Sequence, residues 1–136
     1  MCSSDLGAVP VLVTSVSRRT FDPAGRRITD SFQGYTQAVR EIAKQKNVPL
    51  IDLQASSAAF YEALGPEKSH LAFATMQEAT HHNDYGSYEI VKCVLNGIKA
   101  AKLDLARYIV DFNGFDPSRP DSIEGFTLPK SLIGGS

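Results

Sequence analysis

Residues 9–16 read Val-Pro-Val-Leu-Val-Thr-Ser-Val. A run so short, β-branched and apolar predicts a strand covered on both faces. Strands of that kind belong to parallel sheets, whose crossovers are long and usually helical. The sequence supplies such crossovers. Residues 17–25 hold Arg18, Arg19, Pro23 and Gly25 and read as a loop. From Thr29 to Lys46, the residues Phe32, Tyr35, Val39, Ile42 and Ala43 form one apolar stripe of an amphipathic helix. Phe32, Tyr35 and, further on, Tyr88 are read as core on that spacing. Thr29, Asp30 or Ser31 can cap the helix, and Lys44 and Lys46 suit its carboxyl end.

Val48–Leu53 is predicted as a second strand and Ala55–Leu64 as a short helix stopped by Gly65-Pro66. Residues 65–83 then read as a long polar loop that carries all three histidines, His70, His81 and His82. Tyr85–Leu103 is a further helix, with Tyr88, Val91, Leu95 and Ile98 on one face. Residues 106–110 extend it or add a turn. From Asp111 on, Gly114, Pro117, Pro120, Gly125 and Pro129 break every periodicity. That tail is expected to be irregular, either laid on the surface by Phe112, Phe115 and Phe126 or partly disordered.

The alternation is α/β with right-handed crossovers. Residues 1–8 are expected to be a non-native or disordered leader, 9–110 the α/β unit, and 111–136 the irregular tail. Met1–Gly7 has neither a basic nor an apolar stretch, so it does not read as a signal peptide. Two strands make a poor sheet, and the first begins abruptly. A truncated reading frame is therefore expected, with further strands contributed from outside this chain.

Composition narrows the functions. The chain has 136 residues and a net charge of −1, from 14 Lys and Arg against 15 Asp and Glu. That balance gives no reason to expect nucleic acid or an acidic membrane surface as partner. No apolar run approaches the ~18–20 residues of a membrane span. Cys2 and Cys93 form no disulfide or zinc framework, and Cys93 reads as a small core residue.

In open α/β sheets, ligands bind beyond the carboxyl ends of the strands. The segment Gln77-Glu78-Ala79-Thr80-His81-His82-Asn83-Asp84-Tyr85-Gly86 is the place to look. A carboxylate three residues before a histidine, in a turn, can accept a hydrogen bond from the imidazole. The other ring nitrogen is then free to act as a base toward a hydroxyl nucleophile. A solvated His beside a surface Glu is the competing reading. A metal site from His70, Glu78, His81, His82 and Asp84 is not expected, because adjacent histidines lack the i, i+4 face of H-E-x-x-H. No glycine-rich phosphate loop is present, so no nucleotide cofactor is expected either. Ser17 ends a strand but lacks the G-x-S-x-G elbow of a nucleophile. Arg18 and Arg19 either touch an anionic ligand or a loop carboxylate or lie in solvent.

The segment resembles the last block of the SGNH (GDSL-like) hydrolases, whose D-x-x-H supplies the acid and base of a Ser-His-Asp triad. It is most similar to rhamnogalacturonan acetylesterase-like members, with Thr80-His81 and a glycine, Gly86, five positions after the histidine. Residues 10–14, Arg18-Arg19-Thr20-Phe21, the Tyr35 helix, Val48–Leu53 and Tyr61–Gly65 also look like that group. The resemblance spans residues 9–110. It implies a partial three-layer α/β/α fold of the flavodoxin-like SGNH type, with the N-terminal half missing. It selects His81 as base and Glu78 as acid, with no cofactor. It implies removal of acetyl groups from a pectic polysaccharide, or from a small ester, by a Ser-His-acid mechanism. His82 and Asn83 are the candidate substrate contacts, with a plain surface position as the other reading of His82.

Two departures stand out. Glu78 occupies the acid position where the family has Asp. The G-D-S nucleophile block and the G-x-N-D block are absent, so the serine is expected upstream of Val9. A non-catalytic α/β module that binds carbohydrate or a partner is the alternative function. Family members that act on plant polysaccharide are usually exported, which implies a secreted or periplasmic site for the intact protein.

Overall fold

The computed structural model describes residues 7–129. Most of the proposed leader, Cys2 and the end of the tail lie outside the described residues. The chain runs β1 (Leu12–Val13), α1 (Gln33–Lys46), β2 (Leu50–Ile51), α2 (Leu53–Lys68) and α3 (Asp84–Ala100). Short 3₁₀ turns follow α2 (Ser69–Ala72) and α3 (Asp104–Tyr108). β1 and β2 pair in parallel, Leu12 opposite Leu50 and Val13 opposite Ile51. The fold is α/β, as the alternation predicts. Each strand is two residues long, shorter than its apolar run, because regular pairing is confined to those two positions.

α1 packs on β1 and α3 on β2. Gly97 permits the second contact, since a Cβ there would collide with the Ile51 side chain. The main apolar core lies beside the sheet rather than on it. Phe60 and Tyr61 of α2 meet Ala72, Phe73 and Tyr85, with Val16, Phe21, Ile28, Leu64 and Ile90 around them. The tilted ring pairs Phe60–Tyr61, Phe60–Tyr85 and Tyr61–Phe73 have centroids 5.3–5.9 Å apart. Such geometry adds to burial alone.

A polar lattice fixes the carboxyl ends of both strands. Asp52 caps α2, accepting from the Ala55 amide, and also accepts from the Thr14 hydroxyl at 3.0 Å. Arg40 of α1 meets both Asp52 oxygens, at 2.8 and 3.0 Å, and reaches Gln54 Oε1 at 2.8 Å. Burial works to raise the Asp52 carboxyl, but the Arg40 fork, the Ala55 amide and Thr14 outweigh it and hold it below its ordinary value. Ser17 is buried in this lattice, its hydroxyl donating to the Gln54 backbone carbonyl and accepting from the Gln54 side-chain Nε2. Its hydroxyl is therefore already occupied.

Several boundaries differ from expectation. α1 begins at Gln33, because Asp30 Oδ1 accepts from the Phe32 amide and holds the preceding turn open. Its buried side is Thr36 and Ala43. Tyr35, read as core, is 81% exposed, and Ile42 is also open. Gly65 takes a left-handed φ of 72° and breaks α2, but helix resumes at Pro66, which suits a first helical position. The expected long loop thus starts only after Ala72. On α3 the buried line is Tyr85, Glu89 and Cys93, spaced by four, rather than Tyr88 and Val91. Cys93 is a buried core residue, as read from the sequence.

The tail crosses α3. Phe126 packs on Tyr85 and Tyr88. The Asn96 side-chain amide bonds the Phe115 backbone in both directions. Among the described residues, no helix is long and apolar enough to cross a membrane.

Candidate active site

Residues 73–82 fold back on themselves beyond the carboxyl end of β1. Phe73 and His82 form an antiparallel bridge, and the Ala74 amide donates to the His81 carbonyl at 2.9 Å. The Glu78 amide closes the turn on the Thr75 carbonyl at 3.2 Å. The strand-end loop meets this turn where the Arg19 amide donates to the Ala79 carbonyl at 3.0 Å.

Within the turn, Glu78 Oε2 lies 3.0 Å from His81 Nδ1. Glu78 Oε1 accepts from the Ala79 and Thr80 amides, each at 3.0 Å. The His81 bond first, and those amides next, hold the Glu78 carboxyl down at about 2. The group is thus ionised at every ordinary pH. The His81 side chain is 78% exposed, so its far nitrogen faces solvent. An acceptor on Nδ1 fixes the tautomer that leaves Nε2 as a base. The longer reach of Glu is used up by folding back over the turn's own amides.

His82 points the other way. Its Nε2 is 2.7 Å from the Tyr61 hydroxyl, and its ring stacks on Phe73 with centroids 4.7 Å apart. Burial, and then the neighbouring His81, push the His82 pKa below its ordinary value, so the ring is neutral near pH 7. Asn83 caps α3: its Oδ1 accepts from the Gly86 amide at 3.0 Å, and its Nδ2 donates to the Leu71 carbonyl at 2.7 Å. Both polar ends of Asn83 are thus engaged by the fold. His70 sits half-buried in the 3₁₀ turn and lines a hollow with Phe73, Met76 and Asn83. Among the described residues, no three of His, Cys, Asp or Glu cluster so as to hold a metal.

Gly86 lets the start of α3 press against the 3₁₀ turn. A Cβ there would run into the Ala72 carbonyl oxygen and the His82 ring. A backbone carbonyl cannot swing aside as a side chain can. Gly86→Ala is therefore expected to cost about 1–3 kcal/mol, the usual range for overpacking. Denaturant unfolding checks it, and an unchanged midpoint would contradict the close approach.

An apolar hollow of about 480 Å³, lined by Val9, Val11, Pro49, Leu103 and Leu105, opens at the amino ends of the strands. It lies at the opposite end of the sheet from His81.

Known proteins share this sequence pattern. Rhamnogalacturonan acetylesterase RhgT of Bacillus subtilis (strain 168) is 38% identical over 120 residues, covering 79% of this chain and 51% of the relative. The probable rhamnogalacturonan acetylesterase YesY of the same organism is 35% identical over 107 residues, covering 76% of this chain and 48% of the relative. The chain is a sequence relative of the rhamnogalacturonan acetylesterases. It spans about half the length of the curated relatives it matches. No protein-family model matches the chain, and no solved structure does. The α/β arrangement agrees with the SGNH-like fold that the resemblance implies.

The sequence reading did not find Arg19 as a partner of the turn, nor Tyr61 as a partner of His82. The His82 pair joins residues 21 positions apart, and no local spacing signals it.

Proposed function

We propose that this chain is the acid–base part of an SGNH-type esterase that removes acetyl groups from rhamnogalacturonan or a related pectic polysaccharide. Residues 9–110 form that part of the hydrolase domain and 111–136 its tail. The observation that carries the reading is the 3.0 Å bond between Glu78 and His81 Nδ1, with the rest of the imidazole open to solvent.

In this mechanism the serine nucleophile and the oxyanion donors come from the part of the protein that this chain does not span. His81 Nε2 takes the serine proton as the serine oxygen attacks the acetyl carbonyl. The imidazolium then gives that proton to the departing sugar oxygen, leaving an acetyl-serine. Water repeats the sequence and acetate leaves. Glu78 holds the ring and balances the charge of the imidazolium. His82 and Asn83 flank the base. Their polar atoms toward the fold are engaged, so any sugar contact falls to the remaining ring edge of His82.

Acetate release from acetylated rhamnogalacturonan by the full-length protein tests the proposal. Release that a serine-directed phosphonate blocks is the expected result. A folded full-length protein that binds the polysaccharide without releasing acetate would overturn it in favour of a carbohydrate-binding module.

A further inference from the structure

We propose that Arg19 is the positioning residue of the acid–base turn, gripping its backbone so that Glu78 stays where His81 can use it. The inference rests on the reading of His81 as the base.

Arg19 reaches the turn from the loop after β1. Its Nη2 donates to the Met76 carbonyl at 2.9 Å and to the Glu78 carbonyl at 3.3 Å. Its Nε also points at the Glu78 carbonyl, at 3.4 Å. Its own amide bonds the Ala79 carbonyl, and its guanidinium lies 5.5 Å from the Phe73 ring centroid. One residue therefore serves Met76, Glu78 and Ala79 and covers the ring on which His82 stacks.

Glu78 is consequently held from both sides. Its carbonyl is fixed by Arg19, and its carboxylate by the Ala79 and Thr80 amides and His81. The other limb of the turn is fixed through Ala74 and the Phe73–His82 bridge. On the Met76–Glu78 limb, the Glu78 amide bond to Thr75 is a local closure that does not tie the turn to the rest of the fold. Arg19 makes that tie. A planar fork with several fixed donors suits two converging carbonyls, and a lysine ammonium cannot reproduce it. Among the described residues the guanidinium meets carbonyls and no carboxylate, so it acts as a brace rather than as an ion-pair partner. Arg18 does not share the task, since its guanidinium lies over Phe32 at 5.0 Å.

The test measures acetate release by the full-length protein. Arg19→Ala is expected to lower kcat about 10–100-fold, the scale on which a catalytic group displaced by ~1 Å loses rate. KM should stay nearly constant. Arg19→Lys should fall between the two, and Arg18→Ala should match the parent. Amide exchange gives a readout that general destabilisation would not select. The Ala79 and Thr80 protons should exchange faster in Arg19→Ala while those of α3 do not change. Should Arg19→Ala fail to fold, Arg19→Lys carries the test alone through both readouts. Parental kcat and unchanged Ala79 and Thr80 exchange in the folded Arg19 variants, with His81→Ala inactive, would overturn the role of Arg19 and leave the base in place. Parental turnover in His81→Ala would overturn the underlying reading, and the inference with it.

Discussion

Replacing His81 by alanine in the full-length protein is expected to lower kcat for acetate release about 10²–10⁴-fold, the usual contribution of a positioned general base. KM should change little, because the imidazole is used in the transition state more than in binding. Glu78→Gln keeps an acceptor near Nδ1 but removes the charge that balances the imidazolium, so it too should lower kcat. Glu78→Asp restores the residue type of the related triads yet is expected to lose activity here. The turn is built around the longer side chain, whose two oxygens divide between His81 Nδ1 and the Ala79 and Thr80 amides. Shortening the reach by ~1.5 Å forfeits one of those sets. The sign of the pH effect follows from the depressed Glu78 carboxyl. An acid whose folded pKa is lowered keeps its charge, and the contact that depends on it, until pH falls through that value. For Glu78 that is about 2. The acidic limb of a kcat/KM profile is therefore not expected to come from Glu78. Rate profiles of the parent and the Glu78 variants between pH 4 and 9 check both points.

The contact between Glu78 and His81 was legible in the sequence because it is local. A carboxylate three residues before a histidine, in a segment rich in turn formers, leaves few ways for the two groups to miss each other. The α/β alternation was legible for a similar reason, since β1 and β2 fall inside the two β-branched runs. What stayed hidden depends on distance in sequence or on burial of charge. Arg19 works on carbonyls 57 and 59 positions away, and carbonyls carry no residue identity to read. Glu89 and Lys92 look like the wet face of an amphipathic helix, yet both are buried. Tyr35 and Ile42 fit a core stripe, yet no described element covers them. Periodicity locates an apolar face, but it does not say whether that face is covered. Gly65-Pro66 shows the limit of local stop signals. The glycine does break the helix, and the proline starts the next turn rather than ending the element.

Lys92→Ala is expected to cost about 3–5 kcal/mol of stability, the range for removing one partner of a buried ion pair. The Glu89 carboxylate is 0% exposed and meets Lys92 Nζ at 2.6 Å. Asp121 of the tail approaches the same ammonium at 2.8 Å. The Phe115 ring centroid lies 4.1 Å from it and that of Tyr88 5.1 Å. Burial works against the charge on Lys92, but Asp121 and Glu89 outweigh it and hold the ammonium above its ordinary value. Burial also raises Glu89, and Lys92 is the main opposing influence. Without Lys92 the Glu89 carboxyl should rise further. An acid with a raised folded pKa destabilises the fold when charged, and that cost is relieved as pH falls and the group takes up its proton. The stability gap between parent and Lys92→Ala should therefore be widest near neutral pH and narrow toward pH 5. The tail should loosen as well, because Asp121 and Phe115 lose their common anchor on α3. Pairing Lys92→Met with Glu89→Leu should recover most of the loss, since apolar residues of similar volume can replace a buried pair at little cost. Denaturant unfolding of the parent, the single variant and the double variant at two pH values decides the matter. A single variant as stable as the parent, or a double variant no better than the single, would contradict this account of the pair.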